Sequence, residues 1–382
     1  MKFAFNSPRI GIIGGGQLGK MLSIEAKRLG MYVIIIDPTE DCPASSVCDE
    51  LIVADFKDVK AITSMSEKCD ILTYEIELAN ADLLQELENA GKTVHPSGRT
   101  LKTIQNKFHQ KTFFLEHGLP VPQFTRIHSF DDLVKNLQKF NMKGMLKISE
   151  GSYDGRGNIA LVNQTQEQLK ATYESVKDLD IFLEEWVDFQ KEVSIMVARN
   201  EAGQIVTFPV SENMHEESQL AVSIVPARIP AEVHEKIHQV ATEVLEKLQG
   251  SGVFGIELFL TQDNNILINE IAPRVHNSGH YTIEGCETNQ FQQHIRAICN
   301  LPLGSTTLHK PSVMVNLLGN KTNDESMYDH IIDLLQVSGL SVHLYGKKDE
   351  KPKRKMGHFV IVNDSLDNAL QKALELKEKY LM

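Results

Sequence analysis

The sequence predicts an α/β protein that changes character along its length: a parallel, doubly wound unit, then an α+β body around an antiparallel sheet, then a small strand-rich unit. Three observations predict this. Short apolar runs alternate with amphipathic helical stretches up to about residue 100, the rhythm of parallel strands joined by helices. Beyond that point apolar strands follow one another across short polar turns, as in hairpins. Residues 311–382 combine short strands with one polar helix at the end.

Taken in order, Ile10–Ile13 is a buried strand, and Leu18, Met21, Leu22, Ala26 and Leu29 then recur at helical spacing until Gly30 stops the helix. Met31–Ile36 and "ELIVAD" are strands, Val59–Lys68 a helix, "DILTYE" a strand and Ala81–Ala90 a helix. "KFHQKTFFLEHGLPVPQF" is a helix closed by Gly118 and two prolines. "KGMLKIS" is a strand entering a glycine-rich loop, residues 164–177 a helix, and "DIFLEEWV" a strand. "EVSIMVAR", "IVTFPVS" and "GVFGIELFLT…NILINEIAPR" are strands with hairpin turns at Asn200–Gly203 and Gln262–Asn265. A helix near 288–300 ends at "NLPLG".

At 382 residues the chain has room for two or three domains. Its 42% hydrophobic and 24% charged content is that of a soluble protein. A net charge of −12 argues against a general nucleic-acid or anionic-membrane binder, which needs a basic face. An anionic small substrate stays possible, because local donors act where distant charge is screened. Five cysteines without a C-x-x-C pair suit free thiols in a reducing compartment. The opening "MKFAFNSPRIG" lacks the apolar core of a signal peptide, and no apolar run reaches the ~18 residues of a membrane span. The expected location is the cytoplasm.

Two glycine loops carry the chemistry. In "IIGGGQLGKM", Gly14, Gly16 and Gly19 stand in G-x-G-x-x-G register, and Asp37 follows the next apolar run. That is a dinucleotide fingerprint, yet Pro38 comes directly after Asp37, and a helix N-terminus serves other phosphates equally well. The second loop, "KISEGSYDGRGN" at 147–158, sets Gly151, Gly155 and Gly157 around Ser152, Tyr153, Asp154 and Arg156. Glycine there lets backbone N–H groups close on a phosphate with no Cβ in the way. Lys147 precedes this loop and Lys107 lies further back; Glu257 in "GIELF" and Glu270 in "LINEIAPR" fall on strands that the "TQDNN" turn makes antiparallel neighbours. Two carboxylates on one face can share a hard cation that bridges ATP phosphates. Both interrupt apolar strands, where an unpaired carboxylate is costly. A Walker-type loop and the protein-kinase motifs are absent from the sequence.

Lysines, a glycine loop and strand-borne glutamates, in that order after an α/β unit, resemble the ATP-grasp ligases. Within them, "GGGQLGKM", "TYEIE", "YDGRGN", "NEIAPRVHNSGHYTIEGC", "PSVMVNLLG" and "RKMGH" are similar to the 5-(carboxyamino)imidazole ribonucleotide synthases of purine synthesis. The resemblance covers nearly the whole chain. It implies an ATP-grasp fold: a Rossmann-like substrate-binding domain at 1–105, an ATP-grasp domain at 106–310 with a mobile lid at about 120–183, and a small strand-rich domain at 311–382. It implies ATP and Mg2+ (or Mn2+) as cofactors, bicarbonate and 5-aminoimidazole ribonucleotide as substrates, and a homodimer without nucleic-acid or membrane partners.

The resemblance also implies roles for single residues. For ATP, Lys107 (where relatives can carry arginine) and Lys147 contact phosphates beneath residues 151–157. Glu257 and Glu270 bind the metal, with Asn269 alongside. Glu184, Glu185, Trp186 and Val187 form the hinge beside adenine, Glu192 takes the ribose hydroxyls, and His215 is a further contact. Read by itself, "SENMHEES" would make His215 an ordinary surface histidine. For the ribonucleotide, Gly16, Gln17 and Leu18 supply the first loop, and Glu75 (or Glu77) meets the ribose. Lys347 and Arg354 meet its phosphate, the other lysines of "KKDEKPKRK" facing solvent. Arg274, His276 and Asn277 hold the activated bicarbonate, and Tyr153 and Asp154 enter with the lid. The amine's proton goes to Asp154 or His276, which the sequence does not separate. His280 is a structural hydrogen-bonding residue rather than half of a zinc pair, since Gly279 interrupts the helix such a pair needs.

Three other functions are weighed. A nicotinamide dehydrogenase leaves the second loop and the glutamate pair unexplained. A formate-dependent glycinamide ribonucleotide transformylase shares the lobes but activates formate. A nucleotide-sensing protein would bind ATP with negligible turnover.

Overall fold

The computed structural model describes residues 8–151, 157–319 and 330–381. The amino-terminal unit is built from β1 (Arg9–Ile13), α1 (Gln17–Arg28), β2 (Tyr32–Asp37), β3 (Glu50–Val53), α2 (Val59–Lys68), β4 (Ile71–Tyr74), α3 (Ala81–Asn89), β5 (Thr93–Val94) and α4 (Gly98–Gln105). Its strands pair in parallel in the order β3-β2-β1-β4-β5. Ile10, Ile12, Ile13 and Val33–Ile36 are wholly buried, which is why both strands read as unbroken apolar runs. Asp58 and Asn80 cap α2 and α3 by accepting N–H bonds from Ala61 and Leu83. The first residue of α1 has no such side chain before it; Gly16 leaves that terminus without a side-chain cap.

Helix α5 (Lys107–Glu116) leads into a four-stranded antiparallel sheet of β6 (Phe124–Arg126), β7 (Lys143–Ile148), β8 (Asn158–Val162) and β9 (Ile181–Glu185), in the order β6-β9-β7-β8. Helices α6 (Phe130–Lys139) and α7 (Gln166–Val176) cover it. A capping box between Thr165 and Gln168 starts α7.

The large sheet contains β10 (Phe189–Arg199), β11 (Ile205–Thr207), β12 (Ser211–Glu216), β13 (Gln219–Val225), β14 (Gly252–Thr261), β15 (Ile266–Ala272), β16 (Ser312–Leu318), β17 (Leu340–Leu344) and β18 (Lys355–Val362). It runs β15-β14-β10-β12-β13-β16-β18-β17, with β11 beside β10. Helix α8 (Ala231–Leu248) packs on one face through Val233, Ile237, Val240, Ala241, Val244 and Leu245. Helix α9 (Thr282–Gly285), α10 (Gln290–Ile298), α11 (Ile331–Leu335) and α12 (Leu366–Leu381) complete the chain. The strand-rich carboxy-terminal segment is continuous with this sheet, because β16 pairs with β13 from Val222↔Val315 to Val225↔Ser312.

Elements that the sequence reading leaves out include α4, α6, α8, α9, α11, β5, β6, β8, β12 and β13, and it gives β16–β18 only as unplaced short strands. The spacing of α8 is a plain helical signal; "SENMHEES" and "QLAVSIV" become a hairpin only because β10 and β16 pair with them on either side.

One core cluster joins the lobes: Leu18, Met21 and Leu22 of α1 pack with Phe291, Ile295 and Ile298 of α10 and with Tyr345. Polar ties cross the same junction, Asn289 to Glu25 at 2.9 Å and His294 to Thr73 at 2.9 Å. The glycine loop of α1 is thereby set against the mouth of the large sheet.

Candidate active site

The Gln262–Asn265 turn fixes the register that matters, placing Glu257 of β14 directly opposite Glu270 of β15. Register shifts by one residue immediately afterwards. Strict alternation would turn Asn269 and Glu270 to opposite faces; the bulge lets both reach lysines of the site. Lys107 Nζ stands 3.0 Å from Glu270 Oε2, and Lys147 Nζ 3.3 Å from Asn269 Oδ1. The charge of Lys107 holds the Glu270 carboxyl well below its usual range, whereas burial and then Glu270 push Glu257 up. Two crowded carboxylates with an amide oxygen beside them make an oxygen donor set that suits Mg2+ or Mn2+.

Behind Lys147 lies a cluster that sequence reasoning missed. Glu184 takes Lys147 at 2.6 Å on one oxygen and Lys111 at 2.6 Å on the other, and Lys111 also donates to the Ile268 carbonyl at 3.1 Å. Burial lowers the Lys111 ammonium to about 8 despite that carboxylate. The hinge expected at Glu184–Val187 therefore carries a side-chain function too: Glu184 is buried beneath the site, while Trp186 is exposed. Lys111, one helical turn after Lys107, could have been found from "KFHQK" as two lysines on one face of α5.

His215 is not the surface histidine that its polar neighbours suggest. It sits on β12, and its Nδ1 lies 2.7 Å from Glu192 Oε2. Strand pairing, invisible in "SENMHEES", places it there.

The opening loop is organised by two acids. Asp37 accepts N–H bonds from Gly15 (2.8 Å) and Thr39 (2.9 Å), so its carboxylate braces the loop instead of facing a cofactor ribose. Glu75 accepts from Gly16 at 2.8 Å and also from Gly19. A Cβ on Gly16 would come within 2.7 Å of the Glu75 carboxylate, so only glycine lets it approach. The loop's inward donors thus serve Glu75; the N–H groups of Gln17 and Leu18 are those left to the first turn of α1.

Burial, partly offset by those N–H groups, raises Glu75 to about 7 from an ordinary 4.5. A carboxyl raised on folding stabilises the fold below about pH 4.5 and loses that contribution as pH climbs through about 7. Glu75→Gln is expected to make melting temperature less pH-dependent in that window, as thermal denaturation at several pH values would show.

Beyond β15, Arg274 bridges to Glu77 at 3.0 Å, joining the two lobes, and His276 Nε2 stands 3.4 Å from Glu257 Oε1. Asn277 is buried with neither side-chain atom hydrogen-bonded. His280 is buried, takes an N–H from Gln290 at 3.2 Å, and stacks on His358 at 4.6 Å between centroids. Among the described residues no group of three or more His, Cys, Asp or Glu side chains is arranged to hold a metal ion. In the basic run, Lys347 donates to the Lys355 carbonyl at 2.7 Å and Arg354 to the Asp349 carbonyl at 2.8 Å, folding the loop on itself. Of the other lysines Lys348, Lys351 and Lys353 face solvent as expected, Lys348 pairing with Asp41 and Lys353 with Glu217 at 2.5 Å, whereas Lys355 is half-buried. The start of β18 turns Lys355 inward, which alternation in an unplaced strand could not reveal. Ser152, Tyr153, Asp154, Gly155 and Arg156 lie outside the described residues.

The structure thus brings together Lys107, Lys147, Asn269, Glu270, Glu257 and His276, with Arg274, Glu77 and Glu75 on the side of the first loop. An acidic pair roofed by lysines, between an antiparallel lid and a large sheet, defines an ATP-grasp ligase. Residues 112–291 match the ATP-grasp domain, 8–105 the ribonucleotide synthetase preATP-grasp domain, and 312–372 the phosphoribosylaminoimidazole carboxylase C-terminal domain. The chain is 40% identical to N5-carboxyaminoimidazole ribonucleotide synthase of Bacillus subtilis, over 97% of this chain and 95% of that one. The crystal structure of N5-carboxyaminoimidazole ribonucleotide synthetase from Thermotoga maritima superposes with a TM-score of 0.87 at 44% identity, covering 97% of this chain and 98% of that one. The Aspergillus clavatus synthase, solved with ADP and 5-aminoimidazole ribonucleotide, gives a TM-score of 0.90 at 32% identity over 98% of this chain and all of that one. The chain belongs to the N5-carboxyaminoimidazole ribonucleotide synthase family.

Proposed function

We propose that this chain uses ATP and bicarbonate to carboxylate the amine of 5-aminoimidazole ribonucleotide, giving N5-carboxyaminoimidazole ribonucleotide, ADP and phosphate in purine synthesis. The observation that carries the reading is the Glu257–Glu270 pair set under Lys107 and Lys147. Bicarbonate is a poor electrophile; phosphorylation makes it reactive, and the product survives only where water is kept out. A bound Mg2+ would neutralise phosphate charge between Glu257 and Glu270. Lys107 and Lys147 hold phosphate oxygens, Glu184–Val187 flanks the adenine, and Glu192 with His215 meets the ribose of ATP. Glu75, Gln17 and Leu18 receive the ribonucleotide, whose phosphate is met by Lys347 and Arg354. Arg274, at the seam between the lobes, is the anion contact for the activated carboxyl group, with His276 and Asn277 beside it. Lys147 comes from the four-stranded sheet and the carboxylate pair from the large sheet, so closure of one on the other would orient reactants and exclude water together.

ADP formation, with ATP, Mg2+, bicarbonate or the ribonucleotide omitted in turn, tests the reading: full turnover should need all four. Turnover only with formate and glycinamide ribonucleotide, or an absorbance change linked to a nicotinamide, would replace it. Arg354→Ala is expected to raise KM for the ribonucleotide about tenfold, the worth of one charge-assisted hydrogen bond, while KM for ATP stays put. A loss confined to ATP would move the basic run to the other substrate. No helix of the described residues is long and apolar enough to cross a membrane. The assembly in this reading is a homodimer, which light scattering measures.

A further inference from the structure

A file of hydrogen bonds runs behind His276, with the Ser211 hydroxyl beside it at 2.8 Å from Ser194 Oγ. Asn213 of β12 gives an amide N–H to Ser194 Oγ at 2.8 Å, and its carbonyl oxygen takes the Ser223 hydroxyl at 3.0 Å. Ser194 of β10 passes its own proton to Ser278 Oγ at 2.7 Å. Ser278 Oγ in turn lies 2.9 Å from His276 Nδ1, and the backbone N–H of Ser278 also points at Nδ1 from 3.4 Å. A backbone N–H can only donate, so Nδ1 must accept. Ser194, Ser223 and Ser278 are fully buried and Asn213 is 8% exposed, so bulk water offers little competition.

The ring has little freedom to escape this arrangement. Gln290 clamps its backbone on both sides, accepting from His276 N at 2.9 Å and donating to His276 O at 2.8 Å. The ring base rests on Gly255 of β14, where a Cβ would stand 2.6 Å from His276 Cβ. On the far side Nε2 faces the Glu257 carboxylate at 3.4 Å, as an N–H would.

We infer that Ser278, Ser194 and Asn213 are positioning residues that hold His276 as its neutral Nε2–H tautomer, so that the ring enters the reaction as a hydrogen-bond donor to oxygens gathered at Glu257 and not as the base for the amine. The bond made by one ring nitrogen sets the role of the other. Of the two proton acceptors that the sequence left open, this removes His276: Nε2 already carries a proton.

The test is a nitrogen spectrum of the full chain with ring-15N histidine near neutral pH, the His276 signals assigned by their loss in His276→Gln. A pyridine-type Nδ1 with a pyrrole-type Nε2 is expected. A pyrrole-type Nδ1, or a ring protonated on both nitrogens, overturns the inference in the wild-type protein alone, whatever the variants do. Ser278→Ala and Ser194→Ala should each populate the second tautomer and lower kcat roughly tenfold, with KM for ATP held within about twofold. Wild-type spectra and kcat in both variants would equally overturn it. The kinetic arm rests on the carboxylation reading; the spectrum needs no turnover, so a protein inactive with these substrates but showing the expected spectrum would refute that reading and leave this one standing.

Discussion

Glu270→Gln is expected to reduce ADP formation by a factor on the order of a thousand, about 4 kcal/mol of transition-state stabilisation, while the protein remains folded. Glutamine keeps the shape but removes the charge that both a divalent cation and Lys107 require. The fold should tolerate the change because the Glu270 side chain is 40% exposed and its amide stays solvated. Steady-state rates over a Mg2+ titration, alongside circular dichroism, make the measurement. Near-normal turnover at saturating Mg2+ would remove Glu270 from the metal site.

Glu184→Gln should act the other way round, on stability first. Glu184, Lys111 and Lys147 are 3%, 2% and 9% exposed, so the lost carboxylate strands two ammonium groups without a counter-charge. Breaking a buried pair from one side costs about 3–5 kcal/mol, and for a lobe of this size that is a melting point lower by roughly 10 °C. The penalty should ease as pH rises past about 8, because Lys111 is already lowered to about 8 by burial and can shed its proton; a lysine lowered on folding adds stability with rising pH. Lys147, no longer held, should also raise KM for ATP. A melting point within about 2 °C of wild type across pH would show that the lysines have other means of support.

Both variants probe the same device, a chain of alternating charges from Lys111 through Glu184 and Lys147 toward Asn269, with Glu270 and Lys107 alongside. Only one half of it was legible in advance. Glu257 and Glu270 could be paired from the sequence because a short turn joins their strands, and a hairpin's register is a local property. Glu184 was legible only as a hinge position, since nothing near it in the chain announces that two lysines from α5 and β7 converge on its carboxylate. His215 and Lys355 show the same limit: each lies in a polar stretch, and each is turned inward by strand pairing that the stretch itself does not announce.

What the sequence determined by itself was whatever rests on near neighbours: the parallel α/β start from its alternating period, the glycine loops from their spacing, the glutamate pair from its turn, and the family from motifs spread over the whole chain. The tertiary structure alone decided which donors those groups meet. It gave the first loop's N–H groups to Glu75 and Asp37, placed Asn269 and Glu270 on one side through a bulge, and ran a file of hydroxyls from Asn213 to His276. The physical reason is that burying a polar atom demands a partner, and in this fold the partners come from strands and helices that the chain brings together only when it closes.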